Sequence, residues 1–280
     1  MASETVSLSE AAELLGVHYM TAYRYVRTGR MPGQQVDGEW RVARSDVAAF
    51  RPGVRGKRGR AQKATDEFRQ RFEDRLLAGD EAGAWRLTED ALTGGISPRD
   101  FYGKILTPSL QDIGSRWAAG EVSVAEEHTA SAVAHRLVGR TGPFFARKGR
   151  RKGELILGAP AMDLHGLPVA MLSDVLRGEG FRVHDLGANV PAESFVGFAD
   201  DLSGLTAVGV CATMSGNEDQ ISLLMAELAE AGIEERLLGG RAIESREQAE
   251  ALGATHFGGS SDQAVACFLE LADRSRAARR

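Results

Sequence analysis

The pattern of apolar and polar positions divides the chain into three parts. Residues 66–146 repeat apolar side chains every three or four positions, which is the spacing of helices that bury one face. From residue 154 onward, short apolar runs alternate with such helical stretches, which predicts parallel strands joined by helices. We therefore predict a multidomain fold: an α-helical winged helix-turn-helix, a four-helix bundle and a doubly wound, Rossmann-like α/β domain with a parallel sheet.

The first 50 residues carry the local signals of a compact winged helix-turn-helix. Ser7 and Glu10 match a capping box, in which the serine caps a helix and the glutamate reaches back to it. Gly16 permits a tight turn before a second helix predicted from Tyr19 to Thr28. Asp37-Gly38 favours a two-residue hairpin, because both turn positions need positive φ. The hairpin would supply the wing.

Two short basic segments separate the three parts. Residues 51–65 contain six Lys and Arg, three Gly and no acidic residue, which is typical of a flexible linker. Residues 147–153 are similar in composition and end the helical part. The predicted domains are therefore residues 1–50, 66–146 and 154–280.

The charge is unevenly distributed along the chain. The net charge is −5, yet residues 1–65 carry 11 Lys and Arg against 6 Asp and Glu, which gives +5. The remainder carries 23 against 33, which gives −10. A basic head on an acidic body indicates local binding of a polyanion.

The composition also indicates where in the cell the protein is located. No apolar run approaches the roughly 20 residues that cross a bilayer, so no membrane partner is expected. The N-terminus lacks the basic and apolar regions of a signal peptide. Cys211 and Cys267 fit reduced thiols better than a disulfide framework. We expect a cytoplasmic protein.

Asp163 and His165 follow the first predicted strand of the α/β region. Sheets of this type bind ligands at the carboxyl ends of their strands. An aspartate two residues from a histidine can orient the imidazole as a metal ligand and raise its basicity. A local helix cap would explain the same residues, so the pair alone leaves both interpretations open.

The α/β region resembles the cobalamin-binding domain of methionine synthase, methylmalonyl-CoA mutase and corrinoid proteins, whose pattern is DxHxxG, then SxL, then GG. Asp163 and His165 fill the first element, Cys211 to Thr213 stands in place of the second, and Gly239-Gly240 is the third. The resemblance implies that His165 is the lower axial ligand of cobalt. It also implies that the nucleotide tail lies in a slot beside the sheet. The small residues near Cys211 and the absence of side chains at Gly239 and Gly240 would make room for it.

Three residues depart from that pattern. Pro168 stands where the first element has Gly, and proline is compatible with the first turn of a helix. Cys211 and Thr213 stand in place of Ser and Leu and remain small.

In the predicted bundle, Trp117 precedes the pair Glu127-His128 with nine residues between them. The bundle resembles the helical cap of methionine synthase, and W-x9-E-H resembles the CarH/LitR family of cobalamin photoreceptors, which are MerR-type DNA-binding proteins. The resemblance implies that Trp117 covers the upper corrin face against an adenosyl group, while Glu127 and His128 hold the nucleoside. Without this resemblance, the pattern would indicate that Trp117 belongs to the core of the bundle and that Glu127 and His128 are exposed. His135, on the same helix side as His128, fits the upper cavity or the bundle interior.

The N-terminal part resembles the MerR and excisionase families of DNA-binding domains. The resemblance implies that the second helix enters the major groove, and a small protein-interaction domain is the alternative. The residues expected to contact DNA are Tyr19, Met20, Arg24, Arg27 and Arg41. Arg24 is expected to read a guanine edge, and Arg27 and Arg41 to meet phosphate.

Together the resemblances imply a transcriptional regulator rather than an enzyme, in the form of a light-responsive repressor that uses adenosylcobalamin as chromophore. Operator DNA would be its partner, and it would form a homo-oligomer, a tetramer in the dark. Ala118 stands where the photoreceptors have a second histidine, and an alanine cannot bind cobalt. Two alternatives remain: a light-independent sensor of cobalamin or its upper ligand, and a corrinoid methyl carrier.

Overall fold

The computed structural model describes residues 5–15, 17, 19–27, 31–36, 39–50, 54–146 and 149–278; for residues 20, 21, 24, 54–64 and 278 it describes the backbone alone. The chain forms two compact units, Met1–Phe68 and Arg69–Arg280, which are described separately.

The first unit combines a small sheet with short helices. In chain order its elements are β1 (Thr5–Ser7), α1 (Leu8–Leu15), α2 (Tyr19–Arg27), β2 (Gln34–Val36), β3 (Glu39–Ala43) and α3 (Arg44–Ala49). The predicted capping box is present, since the Ser7 amide donates to Glu10 Oε2 at 2.8 Å and the Glu10 amide donates to Ser7 Oγ at 3.2 Å. The predicted hairpin strands pair as β2 and β3, while the turn Asp37-Gly38 and Gly16 lie outside the described residues.

Strand β1 was not predicted from the sequence. It pairs antiparallel with β3, with Val6 opposite Val42, and completes a three-stranded sheet in the order β1-β3-β2. A strand of three residues is too short to show a period, so its pairing depends on a partner far along the chain.

The second unit begins with helices that pack as the predicted bundle. These are α4 (Val54–Leu77), which starts within the first unit, α5 (Glu81–Thr93), α6 (Pro98–Phe101), α7 (Thr107–Ala118) and α8 (Val124–Thr141), with a π-helical turn at Tyr102–Leu106. That turn joins α6 and α7 into the long third helix that the sequence predicts. Phe72 and Phe101 are fully buried and meet edge to face, with ring centroids 5.7 Å apart.

The start of α4 corrects one prediction. Residues 54–65, which the composition assigned to a flexible linker, are helical in the structure. Lys, Arg, Ala and Gln are good helix formers, and an interior glycine such as Gly56 or Gly59 costs only about 1 kcal/mol. Once the core residues of α4 fix the helix, it continues backwards through this segment because no proline interrupts it.

The rest of the second unit is the α/β domain, and all five predicted strands are present. Its strands are β4 (Glu154–Gly158), β5 (Arg182–Asp185), β6 (Leu205–Cys211), β7 (Arg236–Gly239) and β8 (His256–Gly258). Its helices are α9 (Gly166–Glu179), α10 (Ala192–Asp200), α11 (Glu218–Glu230), α12 (Arg246–Ala251) and α13 (Ser261–Ala278). Pro168 is the third residue of α9, which agrees with its expected place in a first helical turn.

The strand order reverses between β4 and β6. All strands are parallel, and their order is β5-β4-β6-β7-β8, so the connections from β4 and β6 leave in opposite directions. In sheets of this order ligands bind outside the carboxyl ends of the two strands at the reversal. The segments after β4 and β6 contain Asp163, His165 and Thr213.

The bundle is attached to α9, the helix that begins directly after His165. The Tyr102 hydroxyl donates to Asp174 Oδ2 at 2.9 Å, and Arg177 donates to the other oxygen of the same carboxylate at 3.0 Å. Arg99 at the start of α6 pairs with Glu179 at 3.2 Å. Among the described residues, no helix is both long and apolar enough to span a membrane; the cytoplasmic location stays a prediction.

Candidate functional site

Asp163 and His165 form a hydrogen-bonded pair on the loop between β4 and α9. His165 Nδ1 lies 2.8 Å from Asp163 Oδ1, and the carboxylate is fully buried while the imidazole is 49% exposed. With Asp163 as acceptor, Nδ1 carries the proton, and the lone pair of Nε2 is left available to a metal. This is the orientation that a histidine ligand requires.

The other carboxylate oxygen of Asp163 is held by the loop that follows β6. It accepts hydrogen bonds from the backbone amides of Thr213 at 2.5 Å and Met214 at 3.1 Å. Burial by itself raises the pKa of Asp163, but the hydrogen bonds from His165 and the two amides outweigh burial and lower that pKa. Asp163 is therefore a charged acceptor that joins the ends of β4 and β6.

The backbone of the Asp163 loop is fixed in an unusual conformation. Met162 and Asn189 both have positive φ, 72° and 54°, which is uncommon outside glycine. The Met162 amide donates to Asn189 Oδ1 at 2.8 Å, and the Asn189 amide donates to the Asp163 carbonyl at 2.8 Å. Asn217 Nδ2 donates to the Ala161 carbonyl at 2.8 Å. These three hydrogen bonds fix the loop that carries His165 before any ligand binds. The sequence did not predict them.

Cys211 and Thr213 lie at the end of β6, beside Asp163. Burial raises the pKa of the Cys211 thiol to about 11, so it is protonated at neutral pH and is a poor metal ligand. The buried Thr213 hydroxyl interacts with the Cys211 thiol and opposes this increase, but it makes no hydrogen bond of full geometry among the described residues. A thiol is a weak hydrogen-bonding partner, so the hydroxyl is able to bond to a polar group of a ligand. The hydroxyl and the Asp163–His165 pair thus fit a cofactor with both a metal and polar side groups.

The structure gives Gly239 and Gly240 a role in backbone packing. A Cβ on Gly239 would lie 2.2 Å from the carbonyl oxygen of Gly258, and one on Gly240 would lie 2.2 Å from that of Ala212. Gly240 also has φ +107°, which disfavours any other residue. Neighbouring backbone therefore fills the space at the two Cβ positions, and contact of these glycines with a cofactor tail stays a prediction.

The three predicted cap residues lie on both sides of the turn between α7 and α8. Trp117 is in the last turn of α7 and is 49% exposed, so it is not bundle core. Glu127 and His128 are the fourth and fifth residues of α8, with 2.9 Å between Glu127 Oε2 and His128 Nδ1. The His128 side chain is 74% exposed, while Glu127 is largely covered and accepts from Ser131 Oγ at 2.8 Å.

His135 is closer to the α/β domain than the sequence indicated. Its Cε1 lies 3.7 Å from where a Cβ on Gly166 would be, so the ring packs against the residue that follows His165. Burial lowers the pKa of His135 and favours its neutral form. The hydrogen bond with Asp163 raises the pKa of His165, and the charge of Glu127 adds to this effect. Glu127 and His135, eight positions apart, therefore face the same end of the sheet as His165.

The predicted DNA-binding residues of the first unit are only partly described. Tyr19 is exposed at the start of α2, and the exposed Arg27 donates to the Tyr23 hydroxyl at 3.2 Å. Arg41 on β3 lies 3.8 Å from the Glu39 carboxylate. The side chains of Met20 and Arg24 lie outside the described residues. The structure thus leaves the predicted DNA contacts untested.

Comparison with protein families assigns each part of the chain. Residues 5–51 match a helix-turn-helix domain, residues 68–140 a B12 binding domain, and residues 153–273 a further B12 binding domain. The last two matches coincide with the bundle and the α/β domain. They confirm cobalamin binding and the helical cap over a Rossmann-like domain, whereas the first match supports a helix-turn-helix and says nothing of a wing.

The chain is also similar to whole corrinoid proteins. It is 26% identical over 208 residues to trimethylamine corrinoid protein 1 of Methanosarcina acetivorans, covering 71% of this chain and 94% of that protein. It is 25% identical over 218 residues to the dimethylamine corrinoid protein of Methanosarcina barkeri, covering 74% and 98%. The structure of the Methanosarcina barkeri monomethylamine corrinoid protein shares the fold, with a TM-score of 0.63 at 21% identity, over 74% of this chain and 99% of that one.

These similarities overturn the function that the resemblances implied. The interpretation as a transcriptional regulator, either a light-responsive repressor or a light-independent sensor, was wrong, because the similar proteins are corrinoid proteins, several of them named for methylamines. The less favoured alternative from the sequence, a corrinoid methyl carrier, is the one that they support. A helical cap above a cobalamin domain is common to both classes, so the short pattern of Trp117, Glu127 and His128 did not distinguish them.

Proposed function

We propose that this cobalamin-binding protein with an N-terminal helix-turn-helix domain is a corrinoid methyl carrier. It would hold the cofactor between cap and sheet and pass methyl groups between partner proteins without catalysing the transfer itself. The observation that carries the proposal is the half-exposed His165, fixed by the buried Asp163 at the strand-order reversal. The names of the relatives support the methyl group as cargo.

His165 and its neighbours are suited to the lower side of such a cofactor. His165 Nε2 would face the cobalt, and Asp163 would keep the imidazole in the correct tautomer and orientation. The buried Thr213 hydroxyl, which has only the weak Cys211 thiol as a partner, would bind a polar group of the cofactor tail. The cobalt of a corrinoid supplies the centre at which a methyl group is taken up and released.

The upper side would be formed by the cap. Trp117 offers an apolar indole face that is half-exposed, and Glu127 and His135 belong to the face of α8 near His165. A methyl group as upper ligand agrees with the relatives, whereas the adenosyl form predicted from the sequence stays a prediction. Titration of the chain with methylcobalamin and with adenosylcobalamin in darkness compares the two directly.

The lower ligand is tested by ligand replacement. In the wild-type chain, bound methylcobalamin should show the absorption spectrum of a corrin whose own base has been replaced by histidine. His165→Ala should lose this spectrum, and the matched variant His128→Ala, which changes an exposed histidine of the cap, should keep it. An unchanged spectrum in His165→Ala would exclude the assigned ligand.

The carrier role needs a separate experiment. The chain is loaded with cobalamin bearing an isotopically labelled methyl group and mixed with a thiol acceptor and a cobalamin-dependent methyltransferase. We expect label to reach the thiol only when methyltransferase is present. Retention of all label on the protein with a panel of such methyltransferases would count against methyl carriage while leaving cobalamin binding intact.

A second proposal concerns the N-terminal unit, which we expect to bind duplex DNA. It is supported by the helix-turn-helix match over residues 5–51 and by the net positive charge of residues 1–65. Arg24→Ala and Arg27→Ala in the full chain should weaken binding to random duplex DNA and reduce its salt dependence. Binding that is independent of salt would contradict this proposal. Light scattering of the cobalamin-loaded chain tests the homo-oligomer, which also remains a proposal.

A further inference from the structure

Arg241 occupies a tight turn at the carboxyl end of β7, on the same sheet edge as His165. The Ile243 amide donates to the Gly240 carbonyl at 3.1 Å and closes the turn, and the positive φ of Gly240 sets its direction. Ile243 is buried, whereas Arg241 is exposed. The turn therefore anchors its apolar residue in the core and presents the arginine at the surface.

A continuous set of hydrogen bonds connects this turn to the candidate ligand. The Ala242 amide donates to the Ala212 carbonyl at 3.1 Å, and the Ala212 amide donates to the Gly239 carbonyl at 2.8 Å. The next residue, Thr213, donates through its amide to Asp163, which holds His165. The backbone that carries Arg241 is thus fixed relative to the loop that carries His165.

Arg241 has no ion-pair partner among the described carboxylates, unlike other arginines of the same domain. Arg274 pairs with Glu235 at 3.7 Å, and Arg246 lies 3.9 Å from Glu250. A guanidinium carries five N–H donors in a fork that matches two oxygens of a phosphate. An unpaired arginine beside a ligand site is therefore suited to an anionic group of that ligand.

We propose that Arg241 binds the phosphodiester of the cobalamin nucleotide tail. The proposal rests on the cobalamin site described above and adds a residue that recognises one part of the cofactor. The side groups around the corrin ring are neutral amides, whereas the phosphodiester gives the tail its negative charge. Arg241 follows Gly239-Gly240, and its turn is bonded to the backbone of Ala212, in the region where the resemblance predicts the tail.

The test compares three probes on the full chain: aquacobalamin, cobinamide phosphate and cobinamide, which lacks the phosphate and the nucleotide. Arg241→Ala should weaken binding of the two phosphate-containing probes by roughly 10- to 150-fold, the range expected for a charge-assisted hydrogen bond. Binding of cobinamide should stay within about twofold of wild type, because it offers no phosphate to the arginine. Arg241→Lys should restore part of the loss, since it keeps the charge but not the fork.

Arg274→Ala is the matched control, because it removes an exposed arginine that pairs with Glu235. Glu235 directly precedes β7 and therefore lies at the amino ends of the strands, away from His165. It should bind all three probes as wild type does. Equal weakening of all three probes in Arg241→Ala, or no weakening of any, would overturn the assignment. Failure of the wild-type chain to bind any probe would overturn the corrinoid site itself, and this assignment with it.

Discussion

The Tyr102 hydroxyl and the Asp174 carboxylate, 2.9 Å apart and both buried, connect the cap to the helix that starts after His165. Tyr102 lies in the π-helical turn of the bundle, and Asp174 lies on the face of α9 that meets the bundle. Burial raises the pKa of Asp174, and the hydrogen bonds from Tyr102 and Arg177 act against that increase. The contact thus satisfies a costly buried carboxyl group and fixes the cap above the sheet edge.

Tyr102→Phe should destabilise the protein by about 1–3 kcal/mol, because it leaves one Asp174 oxygen buried without its donor. Thermal or urea unfolding measures the change. Tyr23→Phe, which removes an exposed hydrogen bond from Arg27 in the N-terminal unit, serves as control and should change stability by less than about 0.5 kcal/mol. A Tyr102→Phe variant as stable as wild type would show that the contact does not hold the cap.

Glu73 should make stability fall as pH rises from acid to neutral. Its side chain is 3% exposed and lies 3.3 Å from Arg69 Nε, and burial raises its pKa despite this partner. A carboxyl whose pKa is raised by folding stabilises the fold below its usual pKa, and this contribution is lost as pH rises through the folded pKa. Glu73→Gln should therefore be more stable than wild type at neutral pH, with the difference shrinking toward about pH 4.

Glu126→Gln is the matched control, and its effect on stability should depend on pH in the opposite direction. Hydrogen bonds from the Ser123 amide and hydroxyl lower the pKa of Glu126 in the capping box of α8. Its stabilisation is present above the usual glutamate pKa and lost as pH falls, so Glu126→Gln should be less stable at neutral pH. Urea unfolding of both variants across this range measures the two trends. Parallel trends in the two variants would contradict the assignment for Glu73.

Asp163→Asn should weaken cobalamin binding by about 10- to 100-fold, the usual cost of changing a residue that orients a metal-binding histidine. An asparagine oxygen can accept from His165, but its NH2 group would then face the amides of Thr213 and Met214, which are also donors. Spectroscopic titration with aquacobalamin measures the loss. Affinity equal to wild type would mean that Asp163 does not control the orientation of His165.

Asn189→Ala should destabilise the loop that carries Asp163, because Asn189 bonds to the backbone of this loop. It removes the acceptor for the Met162 amide and places alanine at φ 54°, so we expect a loss of roughly 2 kcal/mol in stability. Asn189→Gly removes the same acceptor but tolerates positive φ, so it should lose less. Urea unfolding of the two variants separates the hydrogen bond from the backbone strain. A glycine variant that is less stable than the alanine variant would contradict the role of φ.

Local sequence signals predicted the elements but not the contacts between them. The capping box at Ser7 and the five strands of the α/β domain follow from short-range chemistry and period. The pair Asp163–His165 was also recognisable, because its hydrogen bond joins residues two positions apart. By contrast, His135 shows no signal in the sequence that places its ring against Gly166.

The sequence by itself therefore determined the helix-turn-helix and cobalamin-binding classes and the neighbouring pair Asp163–His165, because each rests on residues close together in the chain, while His165 as a cobalt ligand stays a proposal. The tertiary structure decided which groups surround that pair. The amides of Thr213 and Met214 reach Asp163 across about 50 residues, and the carbonyl of Ala212, directly after the neighbouring strand β6, leaves no room for a side chain at Gly240. Such contacts depend on how strands align in the sheet, and strand order is fixed by packing of the whole domain rather than by any local pattern.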